Sequence, residues 1–600
     1  MTAFQPPLRH IDFVLNHVVD LAGLARYPAF AHADPDTVRG VLEEAGRFAA
    51  EVIAPLDQVG DRQGAEHQAD GSVRMPDGFA TAYSRYVEAG WPGVGFDPAY
   101  GGGGFPWVVA LAIQELLSAS NRAFALAPML TQSAIEMLIN VADESWKERL
   151  LPKMIAGMWS GTMNLTEPQA GSDLGAITTR AVRQPDGSYL LTGQKIFITY
   201  GEHDLTENIV HLVLARVPGA PPGTKGISCF IVPKFVVGED GSLGDRNDVR
   251  CVSIEHKVGI HASPTCVLAY GDNGGAVAYL VGEENGGMPA MFMMMNNARL
   301  SVALEGLAVS ERAFQRALSH AQERRQGRAP GARSGDASAI IDHPDVRRML
   351  VTMRSYIDAM RYLTYTNAAS IDRARHDPDP AARAAAADVV ELLTPVAKAW
   401  CTDLGVELTS IAIQIHGGMG YVEETGIAQH WRDSRISPIY EGTNGIQAGD
   451  LVGRKLGLRG GLVAREHLDR IALLDGELEA AGDDFVAIRA NLTAGLASLR
   501  AATEWMLSVA PGAAADRLAG STPYLRMFGL VTGGWLHAQA ALAATRAAAT
   551  SGDHDGFFAA RVRSAQFFCE QLLPQVAGLL PSATAGAAPL FALDARQLAS

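Results

Sequence analysis

Along about the first 160 residues, apolar positions recur at helical spacing. The clearest run is Asp36 to Pro55 (D-T-V-R-G-V-L-E-E-A-G-R-F-A-A-E-V-I-A-P), which predicts a helix ending near the proline. Leu111 to Ala119 and Ala134 to Val141 read the same way, and Tyr100 to Gly104 forms a glycine loop between helices. Near residue 161 the period changes. Ile177 to Gln184, a Pro185-Asp186-Gly187-Ser188 turn and Tyr189 to Tyr200 predict a pair of strands. Val210 to Arg216, Gly226 to Val232 and Val267 to Tyr270 continue a small β domain of about 120 residues. From Met288 the helical period returns. Met291, Met293, Met294 and Met295 fall in its first helix, as adaptable core filler or as the lining of an apolar pocket. Gly327 to Ser338 is a loop, and Asp345 to Tyr365 and Ala382 to His416 are long helices separated by Arg375 to Pro380. Beyond residue 458, Phe485, Ile488, Leu492, Leu496 and Leu499 share one helical face. Ala-rich helices follow to about residue 580, and the tail is expected to pack poorly.

The pattern divides the 600 residues into an extension (1–35), a helical domain (36–160), a β domain (161–282), a second helical bundle (283–457) and an additional helical domain (458–600). One ordinary core cannot serve a chain of this length. The content is 48% hydrophobic and 19% charged, with a net charge of -15. That balance fits a soluble globular chain and argues against a nucleic-acid partner, whose phosphates demand Lys and Arg. Cys229, Cys251, Cys266, Cys401 and Cys569 are scattered and form neither a disulfide framework nor a metal motif. Buried thiols in a reducing compartment are expected, and no metal. The N-terminus shows no basic, apolar leader, and no run of about 18 apolar residues along the chain suggests a membrane span, so a cytoplasmic enzyme is the default.

Candidate chemistry gathers at Ile436 to Gln447 (I-S-P-I-Y-E-G-T-N-G-I-Q). An extended run from Ile436 to Tyr440 delivers one carboxylate, Glu441, and Gly442 lets a ligand approach the backbone. Apolar neighbours would raise the pKa of such an acid and suit it to act as a general base. The plain alternative is a helix N-terminus capped by Thr443. Met163 to Asp173 (M-N-L-T-E-P-Q-A-G-S-D) offers hydroxyls and glycine-exposed amides to a flat heteroaromatic ring or a diphosphate; alone, it also reads as a β-turn. Phe197-Ile198-Thr199 places an aromatic beside a hydroxyl, where ordinary strand alternation is the plain alternative. No G-x-G-x-x-G follows a strand, so a Rossmann site is unsupported.

Together, M-N-L-T-E-P-Q-A-G-S-D, G-Q-K-I-F-I-T, Q-I-H-G-G-M-G-Y and I-Y-E-G-T-N-G-I-Q resemble the acyl-CoA dehydrogenases in type and order, over roughly residues 36 to 457. The flanking segments are similar to a longer bacterial branch, which includes 3-methylthiopropanoyl-CoA dehydrogenases and enzymes acting on fatty acyl-CoAs. The resemblance implies an α+β multidomain fold: helical domain, β-barrel and helical bundle, plus an extra C-terminal helical domain. It implies FAD held without a Rossmann motif. By motif match, Met163, Leu165, Thr166 and Ser172 would meet the flavin or the thioester region, and Phe197, Ile198 and Thr199 the isoalloxazine. Arg324 matches an arginine on the FAD diphosphate, although Arg325-Gln326-Gly327-Arg328 departs from the family's R-K-T-F-G. Gln414, Gly417 and Gly418 match a Q-x-x-G-G that reaches FAD across a dimer interface. Thr443 and Asn444 would also touch FAD, and Arg299, Ser172 and Gly442 would lie beside the substrate.

Glu441 matches the catalytic base, which takes the α-proton of an acyl-CoA while the β-hydride goes to flavin N5. In the family the base's own amide and a flavin hydroxyl stabilise the enolate. Some members carry the base just before the arginine matched by Arg299; here that place is Ala298. Electrons would pass to an electron-transfer flavoprotein. An acyl-CoA oxidase and a non-catalytic DNA-binding relative are the rival readings, the latter opposed by the negative charge and by Glu441. The extra domain is expected to dock on the catalytic body and to favour a homodimer over a tetramer. Membrane association ranks lower, for want of a strongly basic amphipathic helix.

Overall fold

The computed structural model describes residues 3–331 and 337–600. The Gly327–Ser338 loop read from the sequence therefore lies partly outside the described residues, at 332–336. The chain forms two units, one of residues 44–105 and 116–301, the other of residues 1–43, 106–115 and 302–600.

The first unit is built on an eight-stranded sheet. Its strands are β1 (Trp159–Asn164), β2 (Arg180–Arg183), β3 (Tyr189–Thr199), β4 (Asn208–Ala215), β5 (Ser228–Pro233), β6 (Val249–Ile254), β7 (Thr265–Tyr270) and β8 (Ala276–Val281). The predicted hairpin forms as β2 and β3, with Arg183 opposite Tyr189 and Gln184 N–H donating to Ser188 C=O at the turn. Pairing runs β6-β7-β3-β8-β5-β4-β1, with β2 on β3, and only β1 and β4 are parallel. The β1 end of this path also bonds back to β7 and β3. Tyr270 of β7 donates to Asn164 of β1 (2.8 Å), and Ile196 N–H donates to Thr166 C=O (2.9 Å). Tyr189, Leu191, Ile198, Phe230, Leu268 and Tyr270 meet in the interior.

Helix Arg122–Val141 packs on β1 where Gly161 leaves room; a Cβ there would meet that of Ala134 at 2.5 Å. This helix is long and apolar enough to cross a membrane by length and composition, where no such run was expected. In the protein, 78% of its most apolar window is buried, as a core helix would be. The helix expected to end at Pro55 continues instead through a wider π turn (Ala49–Ile53) and a tighter 3-10 turn (Ala54–Leu56) into Asp57–Gln63, because Pro55 sits in a first turn, where its missing N–H costs nothing. All five cysteines are free and buried.

The second unit is helical. Its elements are α1 (Leu8–His17), the later turns of α2 (Gly287–Glu323), α3 (Pro344–His376), α4 (Pro380–His416), α5 (Ile427–Ser434), α6 (Asn444–Asp450), α7 (Val486–Ser508), α8 (Ser521–Ser551), α9 (Phe557–Phe567) and α10 (Gln575–Thr584). The predicted stripe Phe485, Ile488, Leu492, Leu496 and Leu499 is buried, against α8 and α10. In turn α8 lies on α3 and α4, with Gly529 facing the Trp400 ring. The N-terminal extension packs here too. Phe13 meets Phe557 and Phe558, and Arg9 pairs with Asp555. Beneath these contacts runs a buried ionic network. Arg361 bridges Glu115 (2.7 Å) and Glu311 (3.0 Å), and Arg561 meets Asp358 (2.9 Å). Burial alone would push Asp358 up, but Arg354 and Arg561 outweigh it and hold the carboxyl well below its usual range.

Candidate active site

Ile436 to Tyr440 is a turn, not the extended run expected from its β-branched residues. Ile439 and Tyr440 N–H both donate to Ile436 C=O (2.9 and 3.1 Å). Side chains override the local preference: Tyr440 Oη (2.6 Å) and Ser437 Oγ (3.2 Å) both donate to the buried Glu305 carboxylate on α2. Glu441 follows with φ 54°, and Gly442 with φ 79°. A left-handed Glu is strained by about 1–3 kcal/mol and persists only where its surroundings impose it.

Those surroundings come from α4 and α6. Lys398 Nζ donates to Gly442 C=O (2.9 Å) and to Asn444 Oδ1 (2.9 Å). Gln447 Nε2 donates to Glu441 C=O (3.1 Å). Asn444 Nδ2 reaches Asp403 (2.7 Å), Thr402 (3.0 Å) and Ala399 C=O (3.1 Å), so this side chain ties the turn to α4. Burial raises Asp403, against the lowering effect of Asn444. Thr443 caps α6, its Oγ1 accepting from Ile446 N–H (3.2 Å), so the plain alternative reading of this stretch also holds. Sequence reasoning missed Lys398, Gln447 and Glu305. The available signal for the first was a lone lysine inside V-A-K-A-W-C.

At the C-terminal ends of α2 and α4, His320 stacks on His416 with ring centroids 4.3 Å apart. Burial lowers both imidazoles, His416 to about 4. The stack joins the ends of the two helices; Arg324, just past α2, and Gln414, Gly417 and Gly418, at the end of α4, are all exposed. Gly417 ends α4 at φ 60°, and a Cβ on Gly417 or Gly418 would meet nothing within 4 Å. The backbone there is open to a bulky ligand. Met419 and Tyr421, the latter 93% exposed, extend this surface.

In the sheet unit, the alternation of β3 breaks where the motif residues lie. Lys195 and Ile198 pair with Leu268 and Cys266, so one extra residue bulges from β3. At the bulge Phe197 takes φ 60° and is 58% exposed, while Ile198 is buried and Thr199 half-buried. Ordinary alternation does not account for an exposed, strained aromatic. The bulge aims a flat apolar face outward. Met163 is buried at the end of β1, Leu165 and Thr166 are half-buried, Ser172 is exposed and Arg299 is buried. Lys195 Nζ holds Leu165 C=O (2.9 Å) and the Glu167 carboxylate (2.8 Å). Glu167 also accepts from the amides of Thr178 (2.7 Å) and Thr179 (3.1 Å), which pins the loop carrying Ser172. Burial opposes ionisation of Glu167, yet Lys195 and these donors hold it down at about 2. The Met291 and Met294 side chains are core, and Met293 is exposed.

Four family profiles match the chain: acyl-CoA dehydrogenase N-terminal (35–158), middle (162–272) and C-terminal (285–456) domains, and an acetyl-CoA dehydrogenase C-terminal-like domain (461–594). The chain is 45% identical to the 3-methylmercaptopropionyl-CoA dehydrogenase of Ruegeria pomeroyi, over 95% of this chain and 96% of that one. It is 35% identical to the broad-specificity linear acyl-CoA dehydrogenase FadE5 of Mycobacterium tuberculosis, over 96% of each. A crystal structure of an acyl-CoA dehydrogenase complexed with FAD from Bacillus anthracis shares the fold, with a TM-score of 0.72, 20% identity, and 91% of this chain and 88% of that one covered.

Proposed function

The chain belongs to the acyl-CoA dehydrogenase family, and from that premise we propose that Glu441 takes the α-proton of an acyl-CoA thioester on the way to the trans-2-enoyl-CoA. The observation that carries this reading is the conformation of Glu441. It is a left-handed, non-glycine carboxylate between a turn tied to Glu305 and a glycine tied to Lys398. Nothing in helix capping requires that conformation, since Thr443 caps α6 by itself.

The residues fit FAD. In the sheet unit Phe197 offers an exposed aromatic face; in the helical unit Arg324 offers an exposed cation for a diphosphate, and Gly417 and Gly418 an uncovered backbone of the kind the family uses across a dimer interface. When bound, FAD supplies the acceptor for the β-hydride. The protein's share is orientation and proton removal: Glu441 would take the α-proton from a turn that Lys398 and Gln447 hold by its carbonyls. The 45% identical relative carries the name of a dehydrogenase for a short thioether acyl-CoA, and this is the substrate class we favour over long linear chains. An electron-transfer flavoprotein is the acceptor we assign to the reduced enzyme.

Anaerobic titration with short, long and thioether acyl-CoAs tests the reading. Flavin bleaching strongest with 3-methylthiopropanoyl-CoA supports it, and no bleaching with any thioester refutes it. Glu441→Gln should keep its yellow FAD, because its volume is nearly unchanged, and lose at least about 10²-fold in kcat. Turnover near wild type in that variant would place the base elsewhere.

A further inference from the structure

We propose that Lys398 and Gln447 are positioning residues for the base, holding Glu441 in its left-handed conformation through the carbonyls of Gly442 and Glu441. This inference rests on Glu441 being the base. Two consecutive left-handed residues make the turn unlike anything α6 would impose from its own hydrogen bonds. The main chain fixes the turn at its flanks, where Asn444 N–H donates to Pro438 C=O (2.9 Å) and Gln447 N–H to Thr443 C=O (3.0 Å). Between those points the donors are side chains: Lys398 Nζ on Gly442 C=O, and Gln447 Nε2 on Glu441 C=O and, at 3.4 Å, on Gly442 C=O.

The direction of the Glu441 carbonyl sets the peptide plane that follows the base, and the Gly442 carbonyl sets the next. With both directions fixed, Glu441 cannot relax toward the right-handed region without breaking bonds that have no water to replace them. Lys398 and Gln447 are each 0% exposed. Burying an ammonium is costly, and an apolar side chain would fill the same space in α4 more cheaply. The cation itself is steadied by Asn444, which leads on to Asp403. A neutral donor of another kind, Gln447, serves the adjacent carbonyl, so the shared property is hydrogen-bond donation rather than charge.

The test uses the full-length holoenzyme and an acyl-CoA that the wild type oxidises. Lys398→Met and Gln447→Leu remove the donors at similar volume. A base displaced by about 1 Å loses about 10²-fold, so each variant should drop kcat by that order. KM should stay within about threefold, the split expected when only a transition-state interaction is lost. FAD absorbance and the acid limb of the kcat–pH profile should be unchanged. Adding Lys398→Met to Glu441→Gln should cost nothing further, because a protein without its base has nothing left to position. Wild-type kcat in both single variants, or a full additional loss in the double variant, overturns the proposal. So does an acid limb that moves while the kcat plateau stays, since Lys398 would then act by its field. If Lys398→Met loses FAD, Gln447→Leu, which leaves the buried charges intact, decides by the same criteria. The two readings fail separately. An active Glu441→Gln removes the base assignment, whereas an inactive Glu441→Gln with fully active Lys398→Met and Gln447→Leu removes only the clamp.

Discussion

Glu167 and Lys195 form a buried pair whose members depend on each other unequally. Lys195 is brought down to about 8 by burial, while Glu167 sits at about 2 because Lys195 and the Thr178 and Thr179 donors outweigh burial. Breaking such a pair on one side strands the other charge, so Glu167→Gln should destabilise the protein by about 3–5 kcal/mol. The sign with pH follows from the lowered carboxyl. Its contribution is present above the unfolded value of about 4.5 and fades as pH falls toward about 2. Thermal melts of wild type and Glu167→Gln should therefore differ most between about pH 4.5 and 8, where both members are charged, and converge as pH falls toward about 2; a gap that widens in acid would contradict the assignment. At this scale the sequence named Glu441, Phe197 and Thr443 by motif, yet it could not show why they are unusual. A left-handed φ and a β-bulge are backbone states with no residue signature when the residue is not glycine. Lys398 was invisible for a related reason: a lone lysine in a helical pattern reads as solvated until the neighbouring helices are known.

Elements meet in this fold where small residues permit it. In α8, Gly529 sits so near Trp400 of α4 that a Cβ would come within 2.5 Å of the ring, and the fully buried indole cannot yield. Gly529→Leu should overpack this contact and cost about 1–3 kcal/mol, seen as a lower Tm with FAD still bound. An unchanged Tm would mean that the two helices do not rely on this approach. Periodicity located α4 to within a turn and read α8 only as part of an Ala-rich helical stretch, and it cannot say which face of one meets which face of the other. The ends of α2 and α4 carry a second consequence. Arg324 and the Gln414–Gly418 stretch lie about 90 residues apart in sequence, and the His320–His416 stack joins the helix ends next to them. Arg324→Ala should raise the Kd for FAD by about 10-fold or more, as expected for a charge-assisted contact worth about 1.5–3 kcal/mol. Titration of apoprotein checks it, and unaltered affinity would show that the departure from the family pattern after Arg324 has moved this contact.

On the scale of the chain, the division into helical, β and helical segments was legible because the hydrophobic period itself changes. The partnership between the two ends of the chain was not. Residues 1–43 fold with residues 302–600, through contacts such as Arg9 with Asp555 and Phe13 with Phe557, more than 540 positions apart. No local pattern encodes such a pairing. It does bear on assembly. The C-terminal helices are held from several sides, by Trp400 under α8, by the Arg561–Asp358 pair between α9 and α3, and by α1, so they form a fixed part of the unit. Meanwhile Met419, Tyr421 and Val422 remain exposed beside Gln414, Gly417 and Gly418. Apolar side chains so far from burial on a polar surface mark an interaction face. We therefore expect one face for a second copy, at the Gln414–Val422 surface, and a homodimer in which the C-terminal helices cover the face that would otherwise build a tetramer. Light scattering at micromolar concentration measures the mass directly. A dimer that dissociates on Tyr421→Asp is the expected result, and a stable tetramer defeats the covering role. Flotation with anionic liposomes examines the competing use of exposed apolar residues, those of the tail at Leu590, Phe591 and Leu593. With a net charge of -15 the protein should stay with the solvent, and co-migration with the vesicles would reverse that expectation.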